Sequence, residues 1–163
     1  MIRRSFVCAA VLGAAAVAVA QEPKASPPAH VTLAPPQMVW ADAPPSLPKG
    51  AKMVVLSGNP GEAGPFTIRA KFPAGYKLAA HWHPTTEHVT VISGVFSVGT
   101  GDAFDAKALH ALPAGGFAVM PAEMRHFAAT RVPTVIQVHG IGPFTVNYVN
   151  PADDPRNAAA PAK

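Results

Sequence analysis

From residue 52 to residue 149 the chain is a succession of short β-type runs, broken at close intervals by glycine and proline. The runs cover 52–56, 66–72, 77–83, 87–93, 95–99, 117–120, 126–130, 134–141 and 145–149. Between them stand Gly-Asn-Pro-Gly at 58–61, Pro-Ala-Gly at 73–75, Ser-Gly at 93–94, Pro-Ala-Gly-Gly at 113–116 and Gly-Pro at 142–143. Runs this short cannot build long helices, and this punctuation belongs to an all-β barrel or sandwich. Composition agrees: 13 glycines, 19 prolines and only 13% charged residues disfavour a helical protein. Residues 104–109 are the one stretch with a helical flavour, enough for a single turn. No internal repeat is visible, so the 163 residues read as one barrel.

The first 20 residues read as a signal peptide. Arg3 and Arg4 give a basic start, residues 6–19 are apolar and uncharged, and Ala18-Val19-Ala20 supplies the small-x-small cleavage pattern before Gln21. A 14-residue apolar run is short for a membrane span, which needs about 20. An uncleaved N-terminal anchor is the alternative. Arg3-Arg4-Ser5-Phe6-Val7 also has the look of a twin-arginine signal, a route that exports folded proteins and lets a metal be chosen in the cytoplasm. The expected destination is the periplasm or outside the cell. Cleavage removes the only cysteine, Cys8, so the fold cannot depend on a disulfide.

Of 13 Lys and Arg against 9 acids, losing Arg3 and Arg4 leaves 11 against 9, a net charge of +2. No basic run remains, so nucleic acid is not an expected partner, nor is a membrane after cleavage. Residues 21–48 hold eight prolines and should be extended, part linker and part arm. Within them Val39-Trp40 is apolar enough to dock as an edge strand. Residues 151–163 are Pro, Ala and charge, and read as a loose tail.

The chemistry concentrates in residues 75–94. On a strand His81 and His83 are two apart, so both imidazoles point to one face, about 6–7 Å apart. Pro84-Thr85-Thr86 reverses the chain, Glu87 opens the next strand, and Gly94 marks the turn where that strand doubles back. Further on, His126 begins a strand after the Pro121 turn and offers a third imidazole. Three neutral nitrogens and one carboxylate make a site for one divalent transition metal, with positions left for water, dioxygen or a substrate oxygen. Manganese, iron, zinc, copper and nickel all suit that donor set. A metal-free barrel with satisfied core histidines is the alternative, but four such groups unpaired in an apolar lumen would be costly.

These residues resemble the cupin superfamily, through bacterial single-domain exported members of unassigned activity. Gly75, His81, His83, Glu87 and Gly94 match every fixed position of the first cupin motif. Gly115, Pro121 and His126 match the second, whereas Glu123 stands where glycine is usual and Thr130 where asparagine is usual. Further likeness lies in Trp40, Leu47-Pro48-Lys49-Gly50, the run His139 to Phe144, and Asp153-Asp154-Pro155-Arg156. The resemblance implies a single-domain double-stranded β-helix, or jelly-roll barrel, over residues 39–150, with the metal in its mouth. It also implies a homodimer, for which the arm around Val39-Trp40 could pair with a neighbour's sheet edge.

Outside the four ligands the reading is coarser. Val135, Gln137 and His139 share one face of a strand. If that face is inward, Gln137 and His139 become candidates for substrate contact or catalysis, His139 as a general base. A surface or packed role is the alternative. His88 should point away from the metal, His30 and His110 lie in linker or loop, and Arg69 and Glu123 read as rim or surface charges. Phe72, Tyr76, Phe96, Phe104 and Phe117 read as core or interface. Met53, Met120 and Met124 form no spaced cluster.

The expected function is a small metalloenzyme, dioxygenase-like or isomerase/lyase-like, acting on an oxygenated small molecule that chelates the ion. The rival is a non-catalytic periplasmic metal or small-ligand binding and sensing cupin, because a fold and a ligand set do not dictate turnover.

Overall fold

The computed structural model describes residues 30–157. The expected signal peptide, residues 21–29 of the linker and the last six residues lie outside the described residues. The strands are β1 (Ala41–Asp42), β2 (Lys52–Ser57), β3 (Gly64–Phe72), β4 (Lys77–Trp82), β5 (Glu87–Ser93) and β6 (Val95–Thr100). They continue as β7 (His110–Pro113), β8 (Phe117–Met120), β9 (His126–Thr130), β10 (Thr134–Gly142) and β11 (Asn147–Tyr148). The helical flavour near residue 106 is a single 3-10 turn, Ala106–Ala108, capped by Asp105. Among the described residues no helix is long and apolar enough to cross a membrane.

The strands form two antiparallel sheets, one of six strands in the order β1-β2-β3-β10-β5-β8 and one of five in the order β11-β4-β9-β6-β7. Facing each other, they make the expected jelly-roll barrel, with the core between them. Period-two alternation decides which side chains meet there. β3 sends Phe66, Ile68, Ala70 and Phe72 inward, β5 sends Val89 and Val91, and β10 sends Ile136 and Val138. Phe72 packs on Tyr76 and Phe96 with ring centroids 4.9 and 6.2 Å away, joining the two sheets.

Three expectations need adjustment. Val39-Trp40 is not the edge strand: pairing begins at Ala41, opposite Met53, while Val39 is 83% exposed and Trp40 lies under the Lys71 ammonium. A paired strand at β7 was missed because its four residues end in a proline and begin next to the 3-10 turn. Residues 151–157 are no loose tail. They form two 3-10 turns, Pro151–Asp153 and Pro155–Asn157, secured by the Asn150 and Asp154 side chains.

One turn is strict about its residue. Gly94 joins β5 to β6 at φ 79°, a left-handed conformation that costs any residue with a Cβ. A Cβ there would lie 2.6 Å from Thr134 Oγ1 and press on the Pro133 carbonyl. That hydroxyl is fully engaged: it accepts from Val95 N–H at 3.2 Å and lies within donating reach of the Val95 and Val132 carbonyls. Strain and overpacking add, so Gly94→Ala is expected to lower the unfolding free energy by about 2–4 kcal/mol. A urea titration reads the change; an unmoved midpoint would mean the turn is not held as described.

Candidate metal centre

The site is assembled by a break in the pattern of β4. Its register against β9 pairs Leu78 with Ala128 but His81 with His126, so β4 carries one extra residue between them. Such a bulge flips the phase of a strand. Leu78 lines the lumen before the bulge, and His81 and His83 line it after. Without the bulge, Leu78 and the two histidines would occupy opposite faces. His126 opens β9 directly opposite His81, their ring centroids 4.2 Å apart, and Glu87 opens β5.

All four side chains are buried. The three histidines form a cluster whose candidate ligand atoms lie within 4.8 Å of one another, and which could hold a metal ion. Each imidazole is oriented by a main-chain carbonyl at Nδ1: His81 by Ala79 at 2.8 Å, His126 by Met124 at 2.9 Å, and His83 by Thr145 at 2.7 Å. A carbonyl oxygen only accepts, so each Nδ1 carries the proton and each Nε2 keeps its lone pair. Phe144 stacks on the His83 ring at 4.1 Å and fixes its plane.

The outcome is a set of acceptors facing one another. Glu87 Oε2 lies 3.4 Å from His126 Nε2 and 3.6 Å from His83 Nε2, and the His83 Nε2 is buried with no hydrogen-bond partner. Burial holds the His81 imidazole well below the usual histidine range; His126 and His83 add to this, and the Ala79 carbonyl opposes it. Burial likewise lowers His83, against the pull of Glu87 and the Thr145 carbonyl. Burial thus favours neutral His81 and His83, the form in which an imidazole can bind a divalent cation. The donor set therefore fits a divalent transition metal.

The cluster closes one side of a cavity of about 330 Å³ running into the barrel. Its walls are apolar, with Phe72, Leu78, Phe96, Ile136 and Val138 among them, and Met53 and Met120 also face it. At the mouth stand Pro44, Ser46 and Leu47, together with Arg156. That mouth is not legible in the sequence, because its pieces come from the proline-rich arm and from the segment expected to be a loose tail. Two phenols hold the arm in place: Tyr76 donates to the Pro48 carbonyl at 2.7 Å and Tyr148 to the Ser46 carbonyl at 2.9 Å.

Gln137 and His139 are not part of this lumen. On β10 the inward face belongs to Thr134, Ile136 and Val138, so Val135, Gln137 and His139 project from the outer side of the sheet. There Gln137 accepts from Arg69 Nε at 3.1 Å, and His139 stacks on His88 at 4.8 Å with the rings nearly parallel. Of the two directions that the shared face left open, the structure takes the outward one. The greater apolarity of Ile136 and Val138 was the signal that marked the interior. The departures from the second motif also have places. Glu123 takes the left-handed φ of 64° that a glycine would take freely, and its N–H bonds the His83 carbonyl at 2.7 Å. Thr130 donates from Oγ1 to the Pro73 carbonyl at 2.7 Å, tying β9 to the turn before β4.

A jelly-roll barrel with histidines from β4 and β9 converging in its lumen is a cupin. The chain belongs to the ChrR cupin-like domain family, which it matches over residues 28–145. No curated protein matches it. Among solved structures it is similar to the polyketide cyclase RemF of Streptomyces resistomycificus, at 14% identity over 78% of this chain and 90% of that one, with TM-score 0.66. It is also similar to an acetylacetone dioxygenase from Acinetobacter johnsonii, at 16% identity over 82% and 85%, with TM-score 0.60. An RmlC-like cupin from Shewanella frigidimarina aligns at 18% identity over 70% and 92%, with TM-score 0.55. At these identities the likeness is one of fold.

The phenols that clasp the mouth supply a test of their own. Burial pushes Tyr148 up to about 12, with Asp154 adding and Arg156 opposing, and burial also raises Tyr76. A phenol raised on folding contributes its full stability below the unfolded value near 10, and that contribution is lost as pH climbs through the folded value. With only two tyrosines in the chain, tyrosinate absorbance should stay flat through about pH 10 and stability should fall between about pH 10 and 12. Phenolate forming near pH 10 in protein that is still folded would mean that neither phenol is clasped.

Proposed function

We propose that this chain is a small metalloenzyme in which His81, His83, Glu87 and His126 hold one divalent transition metal beside an apolar lumen, where an oxygenated small molecule reacts. The supporting observation is the convergence of three buried Nε2 lone pairs and a carboxylate on an open cavity, with His83 Nε2 lacking any partner. When bound, such an ion supplies a Lewis-acidic position for the oxygens of a chelating substrate.

The protein's own contribution is orientation and exclusion. Carbonyl bonds at Nδ1 prevent the imidazoles from turning, and the Phe144 ring holds His83 in plane. Phe72, Phe96, Ile136 and Val138 remove water from the body of a bound molecule and leave its oxygens facing the histidines. With Gln137 and His139 outside the lumen, Glu87 is the one carboxylate in the cavity wall among the described residues, and proton transfer by it would require a carboxylate oxygen that is not on the metal. Dioxygenation, with dioxygen as the oxidant and a redox-active metal, and isomerase or lyase chemistry are both compatible with these groups.

A second reading, a metal or small-ligand binding module without turnover, is favoured by one observation: among the described residues, no ionisable side chain lines the cavity apart from the four proposed ligands and Arg156. In either case the proposed setting is the periplasm or outside the cell, on the strength of Arg3-Arg4 and Ala18-Val19-Ala20.

Elemental analysis of protein purified without chelators should give about one divalent metal per chain. His81→Ala and His126→Ala should each abolish it while the β-sheet circular dichroism persists, whereas His139→Ala should retain it in full. Metal held at full occupancy by the His81→Ala/His126→Ala double variant would overturn the assignment. Stripping the metal from the native protein should lower its melting temperature, because a ligand bound only by the folded state stabilises that state.

A further inference from the structure

Among the described residues Arg156 is the one cationic side chain lining the cavity, and it comes from a segment outside the barrel strands. Its guanidinium is held in place rather than swinging in solvent. Nε donates to both Asp154 oxygens at 2.8 and 3.0 Å, and Nη2 donates to Asp154 Oδ2 at 2.7 Å and to the Val146 carbonyl at 3.0 Å. Among the described residues Nη1 has no acceptor. The anchoring carbonyl has a telling neighbour: Val146 O holds Arg156, and Thr145 O, one residue earlier, holds His83. A single stretch of backbone thus positions both the histidine cluster and the guanidinium on one cavity.

Fixing an arginine at an apolar mouth has a chemical consequence. A planar fork with an uncommitted N–H edge recognises carboxylate, and partial desolvation strengthens such charge-assisted bonds. The 43% exposure of the Arg156 side chain leaves that edge reachable from solvent. Asp154 is too closely paired to swing away, so it serves to orient the cation.

We infer that Arg156 is a specificity-determining residue, and that the molecule entering the lumen is a small apolar carboxylate, its hydrocarbon body in the barrel and its carboxylate on Nη1. This rests on the proposed use of the lumen as a substrate site, and it names the substrate class.

The test uses hexanoate and phenylacetate, each beside its primary amide, titrated calorimetrically into the purified protein, with metal content measured on the same samples. The native protein should prefer each acid over its amide by about tenfold, the scale of one charge-assisted hydrogen bond. Arg156→Gln should erase that preference while leaving amide affinity and metal content unchanged, and Arg156→Lys should restore part of it. A merely structural role for Arg156 would weaken acid and amide alike. An equal preference in Arg156→Gln would overturn the inference and leave the metal centre standing, as would a native protein that binds neither acid. An Arg156-dependent preference in protein that holds no metal would support the inference and sink the metal reading instead.

Discussion

Three imidazole protons committed to three main-chain carbonyls set the terms for the rest of this molecule. Because Ala79, Met124 and Thr145 each accept from an Nδ1, every histidine turns a lone pair inward, and Glu87 adds a fourth acceptor. Such a group of acceptors in an apolar interior is unfavourable without a cation, since none can satisfy another. The surrounding fold maintains that arrangement. The His81 and His126 bonds go to carbonyls two residues earlier on the same chain, so they are local and form with the strand. The His83 bond reaches across to residue 145, which makes the third imidazole dependent on the segment after β10.

That dependence explains which parts of the site were legible in the sequence. His81, His83, Glu87, His126 and Gly94 stand close together or in short motifs, and their spacing alone puts three of the ligands on one hairpin. The bulge in β4 was not legible, because an extra residue shows itself only in the register against β9. Nor was the direction of β10, where alternation defines two faces and only the partner sheet decides which is interior. Gln137 and His139 stood as candidates for the lumen for that reason. Strand positions were read to within a residue or two in the long runs, and β7 was lost because it follows the 3-10 turn closely and ends in Pro113. Arg156 was hidden by composition: Asp, Pro and Ala suggest a loose end unless the Asp154–Arg156 pair is seen folding back onto Val146.

The mouth shows a division of labour between the barrel and what precedes and follows it. Barrel strands supply the donors and the apolar walls. The proline-rich arm, clasped by Tyr76 and Tyr148, supplies the lip, and the segment after β11 supplies Arg156, the one cationic side chain on the cavity among the described residues. Proline suits the lip because it holds an extended path without needing donors. The two phenols meet its carbonyls and join the arm to both ends of the β4 neighbourhood. The donors and the lip therefore come from separate stretches of chain, joined where the Thr145 and Val146 carbonyls hold His83 and Arg156.

The place of β10 bears on how the chain reaches this state. It runs between β3 and β5, pairing Thr134 with Phe72 and Gly142 with Gly64, so the six-stranded sheet has no middle until residue 142 exists. A growing chain that has reached only β9 presents β3 and β5 as open edges, each a template for another molecule's strand. Contacts across such spans form late and slowly. Closure of the barrel and removal of both exposed edges are therefore one event, the docking of β10.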